Sequence, residues 1–329
     1  MSQTKIEWAE TVWNPVTGCS KVSPGCVNCY AERMSKRLAG RCGYPKDEPF
    51  RVTLHPDKLE EPYKWKKPRR IFVCSMADLF HEDVPDEFIF QVFNSMAKAQ
   101  WIYGHKFMVL TKRPERMKAI IQAIEANLAE QRKPIKNPNG TTMLHLTFSF
   151  PLQTVWLGVT AENQEMADQR IPILLQIPAA VHWVSCEPLI GPVNIELYLR
   201  ESGLRAPHWL DWCVAGGESG PGARPMHPSW AKSLRDQCQA VGVPYFFKQW
   251  GEWAPFYDRD KDDPDWQNIP EEKPGICRLN LAGGRGFHGE RVVYFHRVGK
   301  KTAGRLLDGR TWDQLPKAGD HCAKSAQSG

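Results

Sequence analysis

The 329-residue sequence has no apolar run long enough to cross a membrane and no low-complexity tract. Its first residues, MSQTKIEWAE, are polar and charged where a secretory signal would have an apolar core. Without a signal, the ten cysteines are better explained by a metal or redox role than by a disulfide framework. We therefore expect a cytoplasmic protein with no membrane partner.

Three of the cysteines, Cys19, Cys26 and Cys29, lie on one stretch with the spacing C-x6-C-x2-C. A tetrahedral metal or a cubane cluster needs four ligands, so a fourth must come from another protein group or from a bound substrate. Three interpretations stay open: a [4Fe–4S] cluster with one open iron, a structural zinc closed by Cys42 or a histidine, or no metal. Since no second cysteine group has cluster spacing, we expect one cluster at most.

Another three cysteines lie inside apolar runs, and buried cysteine behaves as a small hydrophobic residue. We therefore predict that Cys74, Cys186 and Cys213 belong to the core.

Strand-like runs alternate with helical periodicity along most of the chain. Predicted strands cover residues 5–13, 70–76, 106–111, 155–159, 180–185, 211–215 and 244–248. Predicted helices cover residues 30–38, 86–100, 115–130, 164–175 and 228–241. This alternation predicts an α/β fold with parallel strands, a partial (β/α)6 TIM-like barrel, with an open doubly wound sheet as the alternative.

We predict two regions. Residues 1–250 form the barrel, with an insertion at 131–152 that suggests a hairpin turning at Asn139-Gly140. Residues 251–329 form a C-terminal extension or lid. This extension carries the basic stretch RVGKKTAGRLLDGR at 297–310, which suits a phosphate backbone or is an ordinary solvated face.

Polar clusters follow the predicted strands, and ligands bind at the carboxyl ends of parallel strands. Lys112 and Arg113 form a paired cation that suits a carboxylate or phosphate, or else lie on a surface loop. Glu218 and Arg224 share a Gly- and Pro-rich loop, and Lys248 ends the last strand. These five residues are our candidates for substrate binding.

The block GCSKVSPGCVNCYAE resembles the cluster loop of radical S-adenosylmethionine enzymes whose last cysteine is followed by Tyr-Ala. The wider sequence is similar to a family of three-cysteine proteins from phages and mobile elements. The matching stretches are TKIEWAETVWNPVTGC, SMADLFHEDVP, LTKRPERM, VWLGVTAEN, VSCEPLIGPV, AGGESGPGARPMHP, FFKQWGEW and RVGKKTAGRLLDGR. Two departures matter. The first cysteine gap is six residues where three is common, and Gly216-Gly217-Glu218 follows the sixth strand rather than the second.

The resemblance implies a [4Fe–4S] cluster on Cys19, Cys26 and Cys29, whose open iron binds S-adenosylmethionine. It implies a 5′-deoxyadenosyl radical that abstracts hydrogen from the substrate, and a reductase or flavodoxin-type electron donor. For the cofactor's polar groups the strand ends offer Ser75, Asp78, Thr160, Glu162, Ser185 and Glu187. Among these, Asp78 is our candidate for the amino group and Glu162 for the ribose, and the alternative is that such residues cap helices.

The phage association suggests a nucleic-acid base as substrate, for example isomerisation or hypermodification of phage DNA in a bacterial host. No catalytic residue is assigned. The alternative function is a zinc-stabilised nucleic-acid-binding or accessory protein without catalysis. The basic balance, a formal charge of +6, is compatible with either.

Overall fold

The computed structural model describes residues 4, 6–131, 135–136, 142–143, 148–200, 209–259, 270–286 and 292–316. Its strands are β1 (Thr11–Trp13), β2 (Val16–Thr17), β3 (Thr53–Leu54), β4 (Arg70–Val73), β5 (Lys106–Thr111), β6 (Ile135–Lys136), β7 (Thr142–Met143), β8 (Val155–Thr160), β9 (Val181–Cys186), β10 (Trp212–Gly216), β11 (Tyr245–Gln249), β12 (Trp253–Arg259), β13 (Ile276–Asn280) and β14 (Val292–Arg297). Its α-helices are α1 (Tyr30–Leu38), α2 (Asp86–Tyr103), α3 (Pro114–Gln131), α4 (Gln164–Leu174), α5 (Pro228–Ala240) and α6 (Lys300–Ala303).

The main sheet has seven strands in the order β1-β4-β5-β8-β9-β10-β11. Strand pairs β1-β4, β4-β5, β5-β8, β9-β10 and β10-β11 are parallel. An α-helix lies between most successive strands of this sheet in the sequence, as crossovers between parallel strands require. Between β9 and β10 the described residues contain only the short 3-10 helix Glu196–Tyr198. The predicted α/β class, a partial (β/α) barrel with parallel strands, is confirmed.

Strands β8, β9 and β10, which lie inside the sheet, are mostly apolar because they are covered on both faces, and Thr160, His182 and Ser185 are their buried polar residues. Every residue of β8, β9 and β10 is buried. The core role predicted for Cys74, Cys186 and Cys213 is confirmed, since each thiol is at most 3% exposed.

Strand ends differ from the prediction where the backbone leaves the extended conformation. The first strand begins at Thr11 rather than residue 5, because a turn closed by Ala9 N–H on Ile6 O precedes it. Strand β4 ends at Val73 because Cys74 has φ +57°, in the left-handed region that a strand cannot use. Helix α2 runs three residues beyond its predicted end at residue 100 and stops at Gly104, with φ +69°.

The chain divides into two compact units. The first comprises residues 1–20, 31–159 and 173–182, and the second comprises residues 21–30, 160–172 and 183–329. Residues 183–186 of β9, strands β10 and β11, and the C-terminal extension belong to the second unit. The predicted division at residue 250 stays a prediction.

The two predicted additions to the barrel have strand structure. In the insertion at 131–152, β6 and β7 pair antiparallel, and the predicted Asn139-Gly140 turn lies outside the described residues. The C-terminal extension forms an antiparallel sheet in the order β12-β14-β13. Across the described part of the chain, no helix is both long and apolar enough to span a bilayer.

One buried and one exposed tryptophan allow the contribution of the core to the stability of the first unit to be measured. Trp13 is fully buried and its indole N–H donates to Lys58 O at 2.8 Å, whereas Trp101 is 87% exposed. We expect Trp13→Ala to lower the free energy of unfolding by about 3–5 kcal/mol, because it removes buried area and leaves a cavity. Trp101→Ala should change it by no more than about 0.5 kcal/mol. Urea unfolding checks both, and equal losses would contradict this description of the core.

Candidate functional site

The first part of the three-cysteine loop lies against the end of β4. Gly18 N–H donates to Met76 O at 3.0 Å, and Cys19 N–H donates to Phe50 O at 3.1 Å. Gly18 has φ +87°, and a Cβ there would lie 2.1 Å from Arg51 O. Only glycine allows this approach, so the backbone just before Cys19 is fixed.

Arg113, which follows β5, holds this part of the loop. Its guanidinium donates to Ser20 Oγ at 2.8 Å and lies 3.6 Å from Cys19 Sγ. The same side chain is paired with Asp78 at 3.3 Å and with Glu82 at 3.0 Å, and Arg113 as a whole is only 7% exposed. A buried cation beside a sulfur favours the thiolate, which is the form that binds metals.

Asp78 completes this arrangement by accepting four hydrogen bonds. Its Oδ1 accepts from Thr111 Oγ1 at 2.7 Å and from Phe80 N at 3.0 Å. Its Oδ2 accepts from Lys112 N at 3.0 Å and from Arg113. The predicted contact between Asp78 and the cofactor's amino group stays a prediction. In this structure the Asp78 carboxylate already accepts four hydrogen bonds, so a cofactor amino group could bind it only by displacing one of these protein donors. The same carboxylate connects the residues that follow β4 with those at the end of β5.

His81, which no local sequence pattern singles out, also anchors the loop. Its Nδ1 lies 3.1 Å from Asp83 N, and a backbone N–H can only donate, so Nδ1 accepts. Nε2 therefore carries the proton and donates to Ser20 Oγ at 2.8 Å. Burial, and secondarily Arg113, lowers the pKa of His81, so the ring is neutral at pH 7. In this tautomer His81 cannot serve as a base for the Ser20 hydroxyl and acts as a support.

Glu162 holds the loop further along, in the second unit. The carboxylate is fully buried; its Oε1 accepts from Gly25 N at 3.0 Å and its Oε2 from Arg170 at 2.9 Å. Arg170 also donates to Thr160 O at 2.8 Å. A Cβ on Gly25 would lie 2.9 Å from the Glu162 carboxyl carbon, so the side chain and the glycine require one another. The predicted ribose contact of Glu162 stays a prediction.

Glu218, which is buried, and Arg224, which is partly exposed, form the third ion pair at the loop. Arg224 donates to Glu218 through its backbone N at 2.8 Å and its guanidinium at 2.7 and 2.9 Å. Asn28 Nδ2 donates to Glu218 Oε2 at 2.9 Å and to Gly222 O at 2.8 Å, while Arg224 reaches Pro24 O at 3.0 Å. Burial alone would raise the pKa of Glu218, but the hydrogen bonds from Arg224 and Asn28 outweigh it and lower that pKa. The pair predicted to bind substrate thus holds residues 24–28.

The three loop cysteines are each partly exposed, and no disulfide involves any described cysteine. Cys19 Sγ lies 3.4 Å from Ser20 O, and Cys26 Sγ lies 3.8 Å from Ser23 Oγ. As the side chains stand, the described residues contain no group of three or more His, Cys, Asp or Glu placed to hold a metal ion. The donor chemistry nevertheless fits an iron–sulfur cluster, because three thiols share one loop and hydrogen-bond donors face two of their sulfurs.

The other predicted cofactor contacts differ in accessibility. Thr160 and Ser185 are at most 2% exposed, and Ser75 Oγ donates to Asn14 Oδ1 at 3.2 Å. Helix capping, the alternative explanation for such residues, applies to Asn163, whose Oδ1 accepts from Met166 N at 3.0 Å.

Glu187 is the predicted cofactor contact that lies beside a predicted substrate contact, Lys248. The two side chains form an ion pair with an N–O distance of 2.7 Å. Of the predicted pair at the end of β5, Lys112 contributes its backbone N–H to Asp78, whereas Arg113 contributes its side chain.

Several cations of the basic stretch at 297–310 contact the fold, and the Arg297 guanidinium donates to Gly220 O at 3.1 Å. Arg305 pairs with Asp313, and the Arg310 guanidinium stacks 3.6 Å above the Trp312 ring. The exposed cations of the stretch are Arg297, Lys300, Lys301 and Arg310.

Comparison with protein families gives one result. A family model described as "Protein of unknown function (DUF5131)" matches residues 3–316. The searches of curated proteins and of solved structures returned no match. The matched range contains the whole parallel sheet, the three-cysteine loop and its three ion pairs.

Arg113→Met tests the first ion pair. It removes the cation but keeps most of the side-chain length, so the Asp78 carboxylate, 8% exposed, loses its counter-ion. We expect the free energy of unfolding to fall by about 3–5 kcal/mol. Arg51→Met is the matched control, because Arg51 and Glu48 form an exposed pair in the same unit, and it should cost no more than about 1 kcal/mol. Similar losses in urea unfolding would contradict the assigned role of Arg113.

Glu218→Gln tests the third ion pair through pH. The pKa of Glu218 lies below its ordinary 4.5 in the folded protein, so folding favours the ionised form. That contribution is complete above pH 4.5 and is lost as the pH falls through the lowered pKa. Glu218→Gln should therefore be less stable than the wild type at pH 7, and the difference should narrow in acid. Thermal unfolding between pH 7 and pH 3 measures it.

The control for this experiment is Glu196→Gln, at an exposed glutamate of the same unit. It should match the wild type at every pH. A difference for Glu218→Gln that stays constant with pH would show that its ionisation is not coupled to folding.

Proposed function

The chain belongs to the family of unknown function DUF5131, and because that description assigns no chemistry, we propose from its residues that the protein is a radical S-adenosylmethionine enzyme. Three features support the proposal together: the parallel (β/α) sheet, the three cysteines on a loop after its first strands, and the resemblance of that loop to a cluster-binding loop.

The observation that carries the proposal is how the loop is held. Residues 18–28, which have almost no regular structure of their own, are fastened by buried charged side chains from the ends of parallel strands. These side chains are Arg113 after β5, Glu162 after β8 and Glu218 after β10. Burying charges is costly even when they are paired, so such an arrangement indicates that the position of the loop matters.

Cys19, Cys26 and Cys29 would hold the cluster through their thiolates. A [4Fe–4S] cluster with one open iron, when bound, supplies the electron that splits S-adenosylmethionine into methionine and a 5′-deoxyadenosyl radical able to abstract hydrogen.

The residues around the thiols tune and orient them. Arg113, 3.6 Å from Cys19 Sγ, brings a positive charge and an N–H donor toward one sulfur. Ser23 Oγ stands near Cys26 Sγ at 3.8 Å. Donors and positive charge beside cluster sulfurs raise the reduction potential, since they stabilise the more negative reduced state. Electrons would come from a separate reductase or flavodoxin-type protein.

We propose a nucleic-acid base as the substrate. The net charge of +6 and the exposed cations of the 297–310 stretch suit a polyanion, which an enzyme acting on a base must hold by its phosphates.

Iron and sulfide content after anaerobic reconstitution tests the proposal. We expect about four irons per chain, and 5′-deoxyadenosine on adding S-adenosylmethionine with a reductant. Cys26→Ala should lose both, because it removes one of three cluster thiolates. Cys42→Ala is the matched control: Cys42 is an exposed cysteine outside the loop, so its loss should leave the iron content unchanged.

Two outcomes would contradict the proposal. One zinc per chain with no iron would favour the zinc-stabilised binding protein, especially if Cys42→Ala also lost the metal. Four irons without cleavage of S-adenosylmethionine would leave an iron–sulfur protein of another kind.

A further inference from the structure

Three neighbouring strands of the second unit end in polar groups that the cysteine loop does not use. Glu187 follows β9, Gly216 and Gly217 stand at the end of β10, and Lys248 and Gln249 end β11. Their registers place them side by side, since β10 pairs with both of its neighbours. The carboxyl ends of adjacent parallel strands are where α/β proteins bind ligands.

The ion pair between Lys248 and Glu187 leaves hydrogen-bonding groups available to a ligand. Lys248 Nζ lies 2.7 Å from Glu187 Oε1 and 2.9 Å from Oε2. The two side chains are 15% and 18% exposed, so they are largely desolvated yet reachable. An ammonium has three N–H groups, and two of them serve this pair, so one is left for a ligand. The Glu187 Oε2 likewise keeps a lone pair.

Gln249 contributes an acceptor that the described part of the chain leaves unused. Its Nε2 faces two acceptors, Gly217 O at 3.2 Å and Glu187 Oε1 at 3.5 Å, and this fixes the orientation of the amide. The other end of the amide, the Oε1 atom, is buried and accepts no hydrogen bond from any described residue. Gln249 as a whole is 4% exposed. A buried acceptor without a donor is costly, so it calls for an explanation.

Gly216 lies directly against the ion pair and the backbone of Gln249. A Cβ there would lie 3.4 Å from Lys248 Cβ and 3.5 Å from the Glu187 carboxyl carbon, which is ordinary contact distance. An alanine therefore fits without strain, yet its methyl group would occupy space next to both charged side chains.

These groups define the ligand that would match them. The site offers one N–H donor from Lys248 and two acceptors, on Glu187 and Gln249, and the Lys248–Glu187 pair carries no net charge. A matching ligand is neutral overall and presents one acceptor and two donors. The Watson–Crick edge of guanine has this pattern: a carbonyl oxygen, a ring N–H and an exocyclic amino group. Adenine, cytosine and thymine each present one donor group on that edge.

We propose that Glu187, Lys248 and Gln249 form a binding subsite for the guanine base, with the carbonyl oxygen on Lys248 and the two N–H donors on Glu187 and Gln249. This rests on the proposed nucleic-acid substrate and names the base. The base would be read as a single-stranded or flipped-out nucleotide, because its Watson–Crick edge is hidden in a duplex.

Calorimetric titration of the purified full-length protein with guanosine, inosine, adenosine and methionine tests the subsite. Inosine is guanosine without the exocyclic amino group and should bind at least about tenfold more weakly. Glu187→Gln keeps the shape but loses the charged acceptor, and it should reduce the preference for guanosine. Gly216→Ala should weaken guanosine binding with no loss of thermal stability, which keeps the test valid if Glu187→Gln does not fold. Lys232→Ala, which breaks an exposed Lys–Asp pair in the same unit, should bind like the wild type.

The proposal is wrong if guanosine does not bind, if inosine binds equally well, or if Gly216→Ala binds guanosine normally. Methionine binding that depends on Glu187 would instead identify a subsite for an amino-acid zwitterion. The titrations test the guanine subsite and do not require the cluster, whereas 5′-deoxyadenosine formation tests the proposed radical enzyme. A negative result in one experiment therefore does not decide the other.

Discussion

The three-cysteine loop depends on buried charges that are paired at the ends of parallel strands. Its conformation cannot come from its own backbone bonds, because residues 18–28 contain only one short 3-10 turn. Side chains from elsewhere supply the missing donors and acceptors. A buried guanidinium or carboxylate is stable only with its partner in place, so each ion pair selects one position of the loop over its alternatives.

The ion pair of Arg113 affects the chemical surroundings of one sulfur as well as the position of the loop. The Arg113 guanidinium contacts Asp78, Ser20 and Cys19, so one side chain connects the sheet, the loop backbone and a thiol. Moving that side chain would disturb all three contacts at once. A loop whose backbone is held by several buried side chains loses less conformational entropy when it binds a ligand, which is the advantage of building a site on rigid elements.

The sequence predicted the elements of the fold well and the partners of the charged residues poorly. A buried parallel strand is a continuous apolar run, so β5 was predicted at the bounds it has, and α1 likewise. Asp78 is different, because its partners Thr111 and Arg113 are 33 and 35 residues away and meet it only when β4 and β5 pair. Local patterns carry no record of such pairing. The same holds for His81, whose role follows from the backbone N–H that its ring accepts.

Hydrogen-bond saturation separates the strand-end residues into supports and ligand-binding candidates, which residue type alone cannot do. Asp78 and Glu162 are deeply buried carboxylates whose oxygens already accept from protein donors. Glu187 has the same chemistry, but it is partly exposed. Among the residues that the structure describes, its partner Lys248 has a third N–H to spare and the neighbouring Gln249 Oε1 accepts from no donor. A saturated group has little to gain from a ligand, whereas an unsaturated one recovers a hydrogen bond that folding left unmade. By this criterion the ends of β9 and β11 carry the side chains best suited to a ligand, whereas the side chains after β4, β5 and β8 are occupied in holding the cysteine loop.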